Sequence, residues 1–395
     1  MTSNIAIVHP DFSLTKIGGE EVICMHVLEA LQDDHDLTLF SLTPPNLADL
    51  NEFADTDVAT DDLTVVTPTV ARRLPAAASL VNRLSGGRLG LQRPLLVGAF
   101  NRLVNRREDE FDYVISTSNE MRFETPSMQY IHFPRYNLSR LDEVIGVHGP
   151  VSTLYDRACA AIAGVDEHTL SDVTLLANSQ WTAGVVESVY GTRPEVVYPP
   201  LNTDAFDRHV PWAERESGFV SIGRLTPAKN VLTNVDIVRR LHERGHDVHL
   251  HLVGPTATDH EDYRRKLERT AAEHDFVHLD GRLDREVMID LIGSHRYGLH
   301  GKKYEHFGIA VAELVAGGTI PFIRNASGQR EAVGEQEAVM YDTADEAVTK
   351  IERVLENPDR QRRIRRRLPD VEERFGRERF KNTIRELVEA DLNER

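Results

Sequence analysis

Residues 4–42 decide the fold class: "NIAIVHP" (Asn4–Pro10), the loop "KIGGEE" (Lys16–Glu21), a helical pattern through Leu31, then "LTLFSL" (Leu37–Leu42). Two short apolar runs joined by a Gly-containing loop and one helix make a βαβ beginning. Working outward, "FDYVIST" (111–117), "MQYIHFP" (128–134) and "VTLLANS" (173–179) are further buried-strand candidates. Each ends in polar residues, where a doubly wound sheet places its binding crevice. The second half repeats the style with "GFVSIGR", "VHLHLVG", "FVHLDG", "YGLHG" and "TIPFIR", alternating with helical periods such as 230–244 and 285–293. Two α/β domains are the economical reading.

Pro199, Pro200 and Pro211 interrupt periodicity in "PEVVYPPLNTDAFDRHVPWAERES", as linkers do. The expected division is therefore 1–198, a linker over 199–215, and 216–370. A charged helical tail, 371–395, is placed to cross back onto the first domain.

The chain has 395 residues, of which 41% are hydrophobic, enough for two full cores. Its net charge of −17 comes from 63 acids against 46 bases, of which 7 are lysines. That balance disfavours general nucleic-acid binding and suits solvation in strong salt. Cys24 and Cys159 are the only cysteines, too few for a thiolate metal site and in keeping with a reducing cytoplasm. The opening "MTSNIAIVHP" reads as a strand rather than a signal peptide.

Two motifs carry chemistry. In "SIGRLTPAKN" (Ser221–Asn230), Arg224 and Lys229 bracket a loop that opens a helix, where free N–H groups and the dipole favour an anion. In "GKKYEHFGIAVAELVAGG" (Gly301–Gly318), Glu305 precedes a small-residue helix, Gly308 starts it and Glu313 lies within it. Carboxylates accept paired hydrogen bonds and vicinal sugar hydroxyls donate them. Phosphate oxygens cannot donate, so a ligand hydroxyl-rich at both ends and anionic between them, such as a nucleotide sugar, suits this pattern. A buried arginine partner for Glu313 fits the residues equally well. "DTD" at 55–57 lies in a run of surface acids, so no metal and no cofactor are expected.

"EHFGIAVAE" and "GRLTPAKN" resemble the paired-glutamate and Arg/Lys motifs of glycosyltransferase family 4, retaining enzymes of the GT-B fold. "GGEE", "NSQWTAGVVESVYG" and "VVYPPLNTDAF" resemble further segments of that family, in the family's order. "YIHFPR" and "YEHFGIAVAE" are similar to its α-1,2-mannosyltransferases that extend dolichol-linked oligosaccharides from GDP-mannose. The resemblance implies GT-B architecture, with two Rossmann-like doubly wound domains facing a central cleft. It implies transfer of a hexose, mannose from GDP-mannose, to a lipid-linked or other glycan acceptor with retention. A UDP-sugar donor, a GT-B epimerase and a non-catalytic sugar-nucleotide-binding subunit are the rival readings. Carried over, Arg224 and Lys229 would hold the diphosphate, Glu313 the ribose and Glu305 the hexose. The backbone N–H groups of His306, Phe307 and Gly308 would complete the cradle. Gly18 and Gly19 would let the first domain's backbone approach, and His132 would face the sugar, although a histidine just past a strand is ordinarily a packing residue. Asn202 stands where many members have Asp, and Ser327-Gly328 where a Gly pair is commoner.

The segment 63–107 has no acid and eight arginines: Arg72, Arg73, Arg83, Arg88, Arg93, Arg102, Arg106 and Arg107. Pro94 could open a helix with Leu96, Phe100, Leu103 and Val104 on one face. That face is expected to dock peripherally on the cytoplasmic side of a membrane and present a polyprenyl-phosphate-linked acceptor.

Overall fold

The computed structural model describes all residues except 1, 11, 13–17, 43, 61–62, 68–91, 137–149, 167, 172, 207–209, 257–259 and 395. The chain divides into two compact units, Met1–Pro200 with Glu378–Arg395, and Leu201–Arg377.

Among the described residues the first unit holds a parallel sheet in the order β3-β2-β1-β4-β5-β6-β7. The strands are β1 (Asn4–Val8), β2 (Asp36–Phe40), β3 (Thr64–Val66), β4 (Tyr113–Ser116), β5 (Ser127–Ile131), β6 (Thr174–Ala177) and β7 (Glu195–Val196). Strand β1 is apolar throughout its buried length because both faces of the sheet are covered. Ile5 and Ile7 enter one cluster with Ile23, Val27 and Tyr113, whereas Ala6 and Val8 enter another with Phe100, Val104 and Ala163.

The last helix, Arg377–Asn393, supplies Phe380, Ile384 and Val388 at helical spacing to the first of these clusters. Lys381 Nζ stands 3.2 Å from Glu29 Oε2, and Arg385 Nε donates to the Ala30 carbonyl at 2.7 Å. Residues 378–395 therefore complete the core of the first unit although they end the sequence.

The second unit holds a parallel sheet in the order β10-β9-β8-β11-β12-β13. Its strands are β8 (Glu216–Ile222), β9 (His249–Val253), β10 (Val277–Gly281), β11 (His295–His300), β12 (Ile320–Arg324) and β13 (Met340–Tyr341). Phe219, Tyr297 and Phe322 pack on one face, with ring centroids 5.3 to 6.4 Å apart. Val220, Ile289, Ile292 and Leu314 form a cluster elsewhere in the unit. The two chain crossings lie side by side, since Leu201 N–H donates to the Phe375 carbonyl at 2.8 Å.

The membrane-facing helix requires correction. Arg72, Arg73, Arg83 and Arg88 lie outside the described residues, as do the side chains of Arg93 and Leu96. The helix itself, Gln92–Asn105, turns Val97, Phe100 and Val104 into its own unit's core against Cys159, Ala160 and Ala163. Phe100 is 1% exposed and Val104 0%, so the face expected to insert into lipid is already buried. Arg107 likewise pairs with Glu110 and lies over Phe40 and Phe111. No helix among the described residues is long and apolar enough to cross a membrane.

Phe380→Ala should destabilise the first unit by about 3–5 kcal/mol through the cavity it leaves. Phe100→Asp should do at least as much, because it buries a charge without a partner. Urea unfolding monitored through Trp181 fluorescence in a Trp212→Phe background measures both, and an unchanged midpoint for either would remove that side chain from the core.

Candidate donor site

In the second unit, the loops that leave the carboxyl ends of β8, β9 and β11 gather the charged residues. After β8 the chain passes Gly223 and closes a short helical turn, Pro227–Lys229. Gly254, after β9, has φ +139°, and a Cβ there would stand 2.2 Å from the Gly223 carbonyl oxygen. The two loops can touch only because this position has no side chain. The Lys229 side chain lies beside Gly223, and its Nζ reaches Glu305.

Glu305 is the hub. Its Oε2 accepts from Lys229 Nζ at 2.6 Å and lies 3.3 Å from His300 Nε2, while Oε1 accepts from Lys302 Nζ at 3.1 Å. Burial opposes ionisation, but Lys229, His300 and Lys302 outweigh it and hold the carboxyl well below the usual carboxylate range. Burial in turn lowers the His300 imidazolium and the Lys302 ammonium. The loop around this cluster is held from outside, with Gln329 Nε2 donating to the Lys302 carbonyl at 2.8 Å and Gly328 N–H to the Glu305 carbonyl at 3.0 Å.

Gly308, at φ +97°, turns the loop into helix Ile309–Ala316. A Cβ at this position would press on Gln329 at 3.1 Å as well as strain the backbone. Phe307 is buried against Phe375, with centroids 5.1 Å apart, and His306 is half-buried beside it in the chain. Ser327, at φ +64°, occupies the left-handed region that favours glycine. Its hydroxyl donates to the Lys303 carbonyl at 3.0 Å, a local tie glycine could not make. Asn202 Oδ1 accepts from Ala205 N–H at 3.4 Å, a cap that an aspartate could also provide.

The expected residues are not all brought together. Arg224 is exposed, and no ion pair engages it among the described residues. Lys303, which is not one of the expected residues, lies over the Tyr304 ring, 5.1 Å from its centroid. Glu313 is buried and ion-paired with half-exposed Arg285, whose guanidinium also lies over Phe206. Sequence reasoning named neither His300 nor Arg285. The first ends an unremarkable strand run, "YGLHG", and the second opens a helix 28 residues from its partner.

Gly18, Gly19 and His132 belong to the first unit. Gly18 N–H donates to Glu21 Oε2 at 2.8 Å and caps helix Gly19–Leu31, and residues 13–17 of that loop lie outside the described residues. His132 is buried past β5, its Nε2 3.0 Å from the Thr117 carbonyl and its N–H donating to Asn119 Oδ1 at 2.7 Å.

Two parallel α/β units with charged loops at the carboxyl ends of the second sheet are the GT-B arrangement. Residues 202–369 match the family model for glycosyl transferases, group 1. Among characterised relatives, the GDP-Man:Man(3)GlcNAc(2)-PP-Dol alpha-1,2-mannosyltransferase of Dictyostelium discoideum is 23% identical over 240 residues, 56% of this chain and 48% of the relative. The mouse protein of that name is 27% identical over 175 residues, 40% of this chain and 35% of the relative. The alignments thus span about half or less of these relatives' length. Among solved structures, the sucrose-phosphate synthase (tll1590) of Thermosynechococcus elongatus superposes with a TM-score of 0.70 at 16% identity, covering 100% of both chains. Anabaena Alr3699/HepE in complex with UDP and glucose gives a TM-score of 0.66 at 16% identity, covering 98% of this chain and 99% of that one.

Because the folded-state pKa of Glu305 is depressed, the stability it contributes is complete above its unfolded value, near 4.5, and is lost as pH falls below that value. The gap in unfolding midpoint between wild type and Glu305→Gln should be widest at about pH 6–7 and shrink below about pH 4.5. A gap independent of pH would mean that the Glu305 carboxylate is not the group stabilised.

Proposed function

We propose that this chain is a retaining glycosyltransferase that moves mannose from GDP-mannose to a lipid-linked or other glycan acceptor on the cytoplasmic side. The observation that carries this reading is the ionised Glu305 held between Lys229 and Lys302 beside the N-terminus of helix Ile309–Ala316. The names of the mannosyltransferase relatives support the donor; a UDP-sugar is the competing donor, supported by the UDP in the Alr3699/HepE structure.

The roles follow from donor and acceptor capacity. An ammonium has three donors, and Glu305 uses one of those on Lys229. Two remain for diphosphate oxygens, with exposed Arg224 supplying a planar fork for the same group. Glu305 is paired to cations through both oxygens, yet a carboxylate has about four acceptor sites, which leaves capacity for hexose hydroxyls. Glu313 engages Arg285 through Oε1, so Oε2 can take ribose hydroxyls without breaking the ion pair. The backbone of His306, Phe307 and Gly308 adds N–H groups at the helix start. For Gly18, Gly19 and His132 of the first unit the support is the resemblance alone, which assigns them a close-approach loop and a sugar-facing imidazole. In front-face transfer the acceptor hydroxyl attacks on the side the diphosphate leaves, the C–O bond to phosphate breaks, and the departing phosphate oxygen takes the hydroxyl proton. Lysine, arginine and the helix N-terminus stabilise the charge that develops on the diphosphate.

The test is release of GDP from GDP-mannose with and without a glycan acceptor. Acceptor-dependent release supports transfer, release without acceptor indicates hydrolysis or epimerisation, and no turnover despite binding indicates a non-catalytic sugar-nucleotide subunit. Glu313→Gln should weaken free GDP and donor alike by ~1.5–3 kcal/mol, whereas Glu305→Gln should spare GDP affinity and lower turnover. Equal loss of GDP affinity in both variants would refute the division of labour. GDP-mannose at ~100 times its Kd should add about 2.7 kcal/mol to stability, with UDP-sugars at that concentration adding less.

A further inference from the structure

Four histidines with no part in the donor site converge on one face of the second sheet, at the amino-terminal ends of its strands. His249 and His251 alternate along β9 and so point the same way. Register places His278 opposite His251, Gly218 opposite His249, and Glu216 opposite His295. A Cβ at Gly218 would stand 2.2 Å from His249 Nε2, so the glycine leaves the space the imidazole fills. Ligand atoms of His249, His251 and His295 all lie within 4.8 Å of one another.

The hydrogen bonds decide which nitrogens are available. His295 Nδ1 lies 2.7 Å from the Leu291 carbonyl, which can only accept, so Nδ1 carries the proton and Nε2 a lone pair. His251 Nδ1 lies 2.9 Å from Asp280 Oδ2 and is oriented the same way. His249 Nε2 stands 2.9 Å from His295 Nε2 and 3.5 Å from Glu216 Oε2. Two imidazole nitrogens on one tetrahedral ion, each at ~2.0–2.1 Å, stand roughly 3.3 Å apart, so small side-chain rotations would bring all three onto one centre.

We propose that His249, His251 and His295 form a site for a borderline divalent transition metal of the Zn²⁺ class, with Asp280 and the Leu291 carbonyl orienting two of the rings and the fourth position open to water or Glu216. Imidazole ligation selects this class over Mg²⁺ and Ca²⁺, and a carboxylate behind a ligating histidine is the usual second support. The site ties β9 to β11 across β8, at the end of the sheet away from the donor loops.

The test uses the full chain without an affinity tag, stripped with a chelator and titrated with Co²⁺ and then Zn²⁺. One Co²⁺ per chain is expected, with the visible bands of a tetrahedral site, displaced by Zn²⁺ and accompanied by a rise in unfolding temperature. His249→Ala with His251→Ala should abolish all three signals, and Asp280→Asn should weaken binding ~10–100-fold while the protein stays folded. Glu352→Gln, in the separate group of His246, Glu352 and Glu356, should change nothing. Absence of tetrahedral Co²⁺ bands in the wild type, equal affinity in Asp280→Asn, or loss of binding in Glu352→Gln would each overturn the proposal and leave the cluster as a histidine–histidine hydrogen bond.

Discussion

A single carboxylate kept charged among cations governs the second unit. Glu305 pairs with Lys229 from the loop after β8 and with His300 and Lys302 from the carboxyl end of β11. Without it, positive charges would be buried unpaired, a condition that typically costs several kcal/mol. The surrounding geometry serves that one group: Gly254 lets the loop carrying Lys229 lie close, Gln329 ties down the chain beside Lys302, and Gly308 turns the helix start toward it. For the proposed diphosphate ligand, charges already held in place would need little reorganisation, which is the physical basis of electrostatic catalysis.

Much of the fold was legible because parallel strands covered on both faces read as apolar runs. "IAIV" and "FVSI" announce themselves in this way. The return of residues 378–395 to the first unit was legible in part, from the Phe380, Ile384 and Val388 period that needs a face to cover it. What periodicity cannot supply is the identity of that face. The same limit misled the reading of helix Gln92–Asn105, where an apolar stripe at Phe100 and Val104 looks alike whether lipid or Cys159 and Ala163 lie across from it. Arginine enrichment without acids suggested lipid, and the packing of the unit's own helices buries the Phe100 and Val104 face that was to meet it.

Residues of the candidate site drew notice wherever chemistry and local spacing coincide, but their pairing did not. Lys229 and Glu305 lie in separate motifs 76 residues apart, and they form a 2.6 Å hydrogen bond. Arg285 was missed because its helix-opening position looks like any solvated cation, and only the fold carries it to Glu313. The histidines of β9 and β11 were missed for a related reason: "HLHL" resembles a plain strand until register sets His295 beside it. Interactions that depend on which strands are neighbours have no local signature.

A crystal structure with an unreactive 2-fluoro analogue of GDP-mannose tests the central claim most directly. The account predicts diphosphate oxygens within hydrogen-bond distance of Lys229 Nζ and Arg224, hexose hydroxyls on Glu305, and ribose hydroxyls on Glu313 with the Arg285 pair intact. A donor bound away from the loops that follow β8 and β11, or one whose hexose makes no contact with Glu305, would contradict it.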